Sequence, residues 1–223
     1  MWVIRPQQEK VAQEAVALLT RYHIAYLAME ERTGKTLSAI RAAEIMEAFH
    51  GRLKILVATK PKAIKGWKEA LKHYRNDLNI VLTTHIKIRN LEPEYDLVIS
   101  DEAHNNISGY PKPSAAFKEA RRVSSNAKWH IYLSATPHAQ GPQMMFHQLA
   151  ISKYSPWKQY KNFYQWFKKY GKPFTIEIQG IDVPQYTRVI DEVWDDFEHL
   201  MISYTRAEMG FEHEPEDKLH YVD

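Results

Sequence analysis

Cysteine is absent from this 223-residue chain, which excludes disulfides, zinc–thiolate centres and cysteine nucleophiles. Also missing is any apolar run long enough to span a membrane, and the first ten residues hold no long apolar stretch of the kind that opens a secretory signal. These lacks predict a soluble intracellular protein with no membrane partner, cytoplasmic or, in a eukaryote, nuclear. A strong charge of one sign is lacking too: 30 Lys and Arg against 27 Asp and Glu leave +3. That balance permits a nucleic-acid partner without arguing for one, because local clusters matter more than the total. No internal repeat or low-complexity linker interrupts the chain, and its length suffices for one substantial core.

What is present is an alternation. Short apolar runs at Ile24–Met29, Leu53–Ala58, Asn79–Thr84, Tyr95–Ser100 and Trp129–Ser134 read as buried strands. Between them lie segments of helical periodicity at Pro6–Leu19, Thr36–Phe49, Pro61–Tyr74 and Ala115–Val123, the second stopped by Gly51. Strands alternating with helices predict an α/β fold, a mainly parallel sheet with helices on both faces. After Pro142 the pattern changes. Helices are expected at Gln143–Ala150, Trp157–Tyr170 and Gln185–Met201, with a small hairpin around Gly180 between the last two. We divide the chain into a nucleotide-binding unit over 1–150, a helical and hairpin extension completing it over 151–211, and a charged tail or linker over 212–223.

Ligands of such sheets bind beyond the carboxyl ends of the strands, and three strand ends here carry reactive residues. The first strand runs into Arg32-Thr33-Gly34-Lys35-Thr36 at a helix start, the architecture of a phosphate-binding P-loop. Backbone N–H groups and the helix dipole face one point there, Lys35 reaches the terminal phosphates and Thr36 holds magnesium. A full P-loop has a further glycine where this chain has Met29. The fourth strand delivers Asp101-Glu102-Ala103-His104. Magnesium needs few protein oxygens, so Asp101 suits the ion, and Glu102 suits orienting and deprotonating a water. The fifth strand ends Ser134-Ala135-Thr136.

Together these motifs resemble the first RecA-like lobe of a superfamily-two helicase or translocase, in the style of the Swi/Snf-type and phage helicases. The resemblance covers nearly the whole chain. It makes Arg5-Pro6-Gln7-Gln8 a Q-type motif with Gln8 on the adenine edge, and Thr33 to Thr36 motif I (Walker A). Ala58 to Pro61 with Trp67-Lys68-Glu69 corresponds to motif Ia. Asp101 to His104 is a DEAH box, motif II, and Ser134 to Thr136 is motif III, which couples nucleotide state to nucleic acid with His104 in the same network. Leu200 to Arg206 resembles the segment that closes the lobe. The implied cofactors are ATP and magnesium, and the implied partner is nucleic acid, DNA by the Swi/Snf likeness. An arginine finger of the type Gln-x-x-Gly-Arg-x-x-Arg is missing, so the resemblance implies a second RecA-like lobe, in cis if the chain is a piece of a longer protein or otherwise in trans. The isolated chain is then expected to bind ATP–magnesium and hydrolyse it weakly, since such a finger contributes about 10³–10⁵ in rate. The alternative is a non-catalytic nucleotide-binding or protein-interaction module that keeps the helicase fold. A small P-loop kinase is disfavoured, because motifs Ia and III have no role there.

Arg32 stands where many relatives carry glycine and is expected to face solvent. Lys60, Lys62, Thr83 and Thr84 sit where relatives touch the nucleic-acid backbone. From Lys153 to Tyr170 basic and aromatic residues interleave. Trp157, Tyr160, Tyr164 and Phe167 at helical spacing are expected to pack on the domain, leaving Lys158, Lys161, Lys168 and Lys169 as a wet face and nucleic-acid candidates. The other histidines lack metal-ligand spacing. Asp191, Glu192, Asp195, Asp196 and Glu198 read as the solvated face of a helix.

Overall fold

A computed structural model describes residues 3–74 and 77–211. The segment over 212–223, expected as a tail or linker, lies outside the described residues. Six strands form one sheet: β1 (Ile24–Ala28), β2 (Ile55–Thr59), β3 (Ile80–Thr84), β4 (Leu97–Asp101), β5 (Trp129–Ser134) and a two-residue β8 (Met201–Ile202). Their order is β3-β2-β4-β5-β1-β8, and every pairing is parallel. Two strands, β6 (Phe174–Ile178) and β7 (Ile181–Gln185), make a separate antiparallel hairpin, as expected around Gly180.

The apolar runs are continuous because both faces of the sheet are covered. Along β1, Ala25 and Leu27 join one core with Val11, Ala39, Met46 and Trp67. Ile24 and Tyr26 turn the other way, into a core with Phe117, Phe146, Trp157 and Phe197. The first core lies under α1 (Pro6–Tyr22), α2 (Lys35–His50) and α3 (Ile64–Tyr74). A polar clasp locks these three helices: Arg41 pairs with Glu9 at 2.7 Å and Glu44 at 2.9 Å, and Tyr74 donates to Glu44 at 2.7 Å. The second core lies under α4 (Ala103–Asn106), α5 (Ala115–Val123), α6 (Met145–Leu149), α7 (Phe163–Tyr170) and the chain that follows.

Two expected helices differ. The aromatic stretch is helical only from Phe163. Asn162 takes the N-cap and accepts from Gln165 N at 3.0 Å, which resets the helical register there. The buried face is therefore Phe163, Trp166, Phe167 and Tyr170, whereas Tyr164 is exposed. Trp157 is buried too, but from turns preceding the helix.

The second difference lies at Gln185–Met201, where no long helix forms. Lys172 N donates to Arg188 O and Ile190 N to Tyr170 O, at 2.9 and 2.8 Å, so 188–190 stay extended. Only short 3₁₀ turns follow, at Asp191–Asp196 and Glu198–Leu200, before Met201 enters the sheet. The acidic residues there are exposed except Asp196, whose Oδ2 accepts from Trp157 Nε1 at 2.8 Å and from the Tyr170 hydroxyl. A carboxylate that reads as solvated thus stitches the last segment to the core.

Candidate nucleotide site

Parallel pairing puts the carboxyl ends of β1, β2, β4 and β5 on one edge. In register, Ala28 faces Ser134, Asp101 faces Leu133 and Ala58 faces Ser100. The sheet therefore brings the loop after β1, Asp101 to His104 after β4 and Ser134 to Thr136 after β5 side by side.

Between β1 and α2 the loop folds inward on its own carbonyls. Lys35 Nζ donates to Met29 O and Glu30 O, both at 2.7 Å, and Thr33 Oγ1 donates to Glu30 O at 2.7 Å. Lys35 is buried, and desolvation lowers its pKa against the raising pull of Glu102 and Asp101. The left-handed positions of the loop are Arg32 (φ 61) and Gly34 (φ 87), not Met29. That explains the missing glycine: Met29 keeps ordinary backbone geometry and buries its side chain in the core. Arg32 is exposed, and Thr36 is half-buried on the first turn of α2. Gln8 is buried, with Oε1 accepting Arg5 N at 3.0 Å. Its amide lies so close to Gly34 that a Cβ there would stand 2.1 Å from Gln8 Nε2. The loop is also laced to the segment after β8, because Glu30 N donates to Tyr204 O at 3.2 Å and Arg206 N to Glu30 Oε2 at 2.8 Å.

Asp101 is buried at the end of β4. Its Oδ2 accepts Thr59 Oγ1 at 2.6 Å and Trp67 Nε1 at 2.8 Å. His85 Nε2 lies 2.7 Å from the Asp101 carbonyl, which can only accept, so that nitrogen carries the proton. Burial lowers the His85 pKa. Glu102 then turns left-handed (φ 54), an uncommon geometry for a residue with a side chain. Its Oε2 meets Lys60 at 3.3 Å, Asn105 at 3.4 Å and His104 at 3.6 Å.

His104 bridges to the next strand. Asn105 Nδ2 donates to His104 Nε2 at 2.6 Å, so the ring proton sits on Nδ1 and reaches Ser134 Oγ at 2.7 Å. Ser134 Oγ also accepts Thr136 N at 3.0 Å, and Thr136 Oγ1 lies 3.5 Å from His104 Nε2. Ala135, between them, is half-buried. Desolvation, the largest influence, lowers the His104 pKa. Among the described residues no three His, Cys, Asp or Glu gather as a metal cluster. A buried ammonium beside a glycine cradle at the start of a sixteen-residue helix, with one buried carboxylate across from it, fits a polyphosphate with magnesium.

The nucleic-acid candidates scatter. Lys60 lies inside the site, on Glu102, and Lys62 is exposed next to it. Thr83 and Thr84 are half-buried, and Thr84 Oγ1 accepts Lys87 N at 3.2 Å. Lys158 and Lys161 line a cavity of about 470 Å³ that also touches Trp157 and Phe163. Lys168 and Lys169 are exposed near the end of α7, where Lys169 donates to the Tyr170 hydroxyl at 2.8 Å. Sequence reasoning missed His85 entirely and met Thr59 and Trp67 only as part of motif Ia. A buried indole N–H demands an acceptor, but nothing in the sequence says which.

The sheet order and the edge that gathers these residues define the class of fold, an α/β lobe of the RecA-like type with a mainly parallel sheet. No family model and no curated protein matches the chain. Among solved structures it is similar to the Sulfolobus solfataricus SWI2/SNF2 ATPase core in complex with dsDNA, with TM-score 0.68 at 19% identity, over 92% of this chain and 45% of that one. The Sulfolobus solfataricus SWI2/SNF2 ATPase core domain matches with TM-score 0.63 at 17% identity, over 95% and 45%. The Pyrococcus furiosus Hef helicase domain matches with TM-score 0.50 at 17% identity, over 66% and 36%. At such identities the likeness is one of fold, and the chain spans less than half the length of each. No described helix is long and apolar enough to cross a membrane.

Proposed function

We propose that this chain is the ATP- and magnesium-binding first lobe of a nucleic-acid-dependent ATPase, a DNA helicase or duplex-DNA translocase. The observation that carries this reading is the gathering of Lys35, Asp101, Glu102 and the His104–Ser134 contact on one edge of adjacent parallel strands. Lys35 exchanges the carbonyls of Met29 and Glu30 for phosphate oxygens, which are stronger, charge-assisted acceptors. Thr36 and Asp101 hold magnesium, which when bound neutralises charge on the phosphate oxygens. Glu102, held by Lys60 and Asn105, is the base that orients and deprotonates water. His104 senses Glu102 on one side and Ser134 and Thr136 on the other, and so relays the state of the site to motif III. Gln8 backs the P-loop at Gly34 and approaches the adenine. Lys60, Lys62, Thr83, Thr84, Lys158, Lys161, Lys168 and Lys169 are the residues to test against DNA. A second RecA-like lobe, in cis or in trans, supplies the arginine finger.

Equilibrium binding of ATP with and without magnesium, followed by DNA-stimulated hydrolysis with and without a candidate second lobe, tests the proposal. We expect magnesium-dependent binding that Lys35→Ala abolishes, and weak turnover until the second lobe is added. Robust DNA-stimulated turnover by the chain alone, lost in Lys35→Ala, would refute the need for a second lobe. Absence of nucleotide binding would refute the whole reading and leave the non-catalytic interaction module.

A further inference from the structure

We infer that Thr59 and Trp67 are positioning residues for magnesium: they clamp one oxygen of Asp101 so that the other is presented to the ion. This rests on the nucleotide reading above and adds to it residues with no part in phosphate contact. Thr59 closes β2 and Trp67 lies on α3, yet both donate to the same atom, Asp101 Oδ2, at 2.6 and 2.8 Å. A carboxylate held by two donors on one oxygen cannot rotate without breaking both. Both donors choose Oδ2, so Oδ1 is the oxygen left for a ligand. His85 adds a third fixed point, donating to the Asp101 carbonyl at 2.7 Å just before the chain turns left-handed.

The consequence is chemical. Magnesium demands close to octahedral geometry and takes few carboxylates. A carboxylate with one oxygen already engaged can ligate only through the other. Groups that orient a metal ligand in this way typically affect metal affinity by about 10- to 100-fold when removed. A blander reading is that Asp101 merely satisfies the buried indole N–H of Trp67. The two readings diverge at Thr59, whose removal leaves the indole bond to Oδ2 in place.

The test is equilibrium binding of a fluorescent ATP analogue, in magnesium and in EDTA, by wild type, Thr59→Val, Thr59→Ser and Trp67→Phe, with the unfolding midpoint of each. Thr59→Val should keep the metal-free affinity and lose about tenfold of the gain that magnesium confers. Thr59→Ser, which keeps the hydroxyl, should restore that gain. Trp67→Phe should follow Thr59→Val, and because it also removes buried area, the two Thr59 variants decide the matter. The clamp is overturned if Thr59→Val keeps the full magnesium gain, or loses affinity equally in both conditions. Wild type that binds equally with and without magnesium overturns the clamp but spares the nucleotide site. Wild type that binds in neither condition overturns both.

Discussion

Gly34→Ala and Gln8→Ala, made singly and together, probe the contact that joins the first helix to the P-loop. Gly34 has φ 87, and a left-handed conformation costs an alanine roughly 1–2 kcal/mol. The new Cβ would also stand 2.1 Å from Gln8 Nε2, far inside the roughly 3.5–4 Å of ordinary contact. Gln8 must then move and surrender its bond to Arg5 N, a further loss of about 1 kcal/mol. Gly34→Ala should therefore cost about 2–3 kcal/mol, and Gln8→Ala, which loses that bond and its own burial, about 1–2 kcal/mol. In the double variant the clash is gone and the bond is counted once. Its cost should fall short of the sum by about 1 kcal/mol or more, beyond the roughly 0.5 kcal/mol scatter of independent sites. Urea unfolding of the four proteins measures this coupling, and nucleotide titration of the same set shows whether both singles weaken binding. Strict additivity would refute the contact.

Acid should weaken the fold through two buried imidazoles. Burial lowers the His130 pKa to about 3 and the His147 pKa to about 4, from 6.5. The unfolded chain then binds protons that the folded chain refuses, so stability is complete above about pH 6.5 and falls as pH drops towards 4. Each ring contributes about 3 kcal/mol over that span at about 1.4 kcal/mol per pH unit. Unfolding followed against pH measures the slope, which His147→Gln should flatten, and a profile flat from pH 7 to 4.5 would contradict the assignment. Asp196→Ala strands the N–H of Trp157 and the hydroxyl of Tyr170, at a cost of about 3 kcal/mol, or about 6–12 °C in thermal midpoint. Exposed Asp191→Ala should shift stability by less than about 0.5 kcal/mol. Equal effects in calorimetry would return Asp196 to the solvated face.

The strands were legible because burial on both sides leaves a run such as Leu97 to Ser100 apolar or small throughout. Helix α5 was legible from its periodicity, and α2 from the Gly51 that ends it. What could not be read was set at long range. Gln185–Met201 forms no long helix because backbone partners at 170 and 172 hold 188–190 extended, and no local signal announces them. Periodicity counted from Trp157 found Trp157 and Phe167 buried but put exposed Tyr164 on the packed side, because Asn162 restarts the helix one turn before Trp166. The site's strand-end residues were visible as motifs. The supports of Asp101 were not, since Thr59 lies 42 and Trp67 34 residues away in sequence.

Glu30 gives the lacing of the P-loop a mechanical meaning. The carbonyl of Glu30 accepts Lys35 and Thr33, its N–H holds Tyr204, and its carboxylate holds the N–H of Arg206. One residue thus belongs at once to the loop that folds around Lys35 and to the stretch by which the chain departs from β8. Lys35 also holds the Met29 carbonyl, and that peptide is the one whose N–H, on Glu30, holds Tyr204. Glu30 is the residue through which the loop after β1 and the chain after β8 are tied to each other.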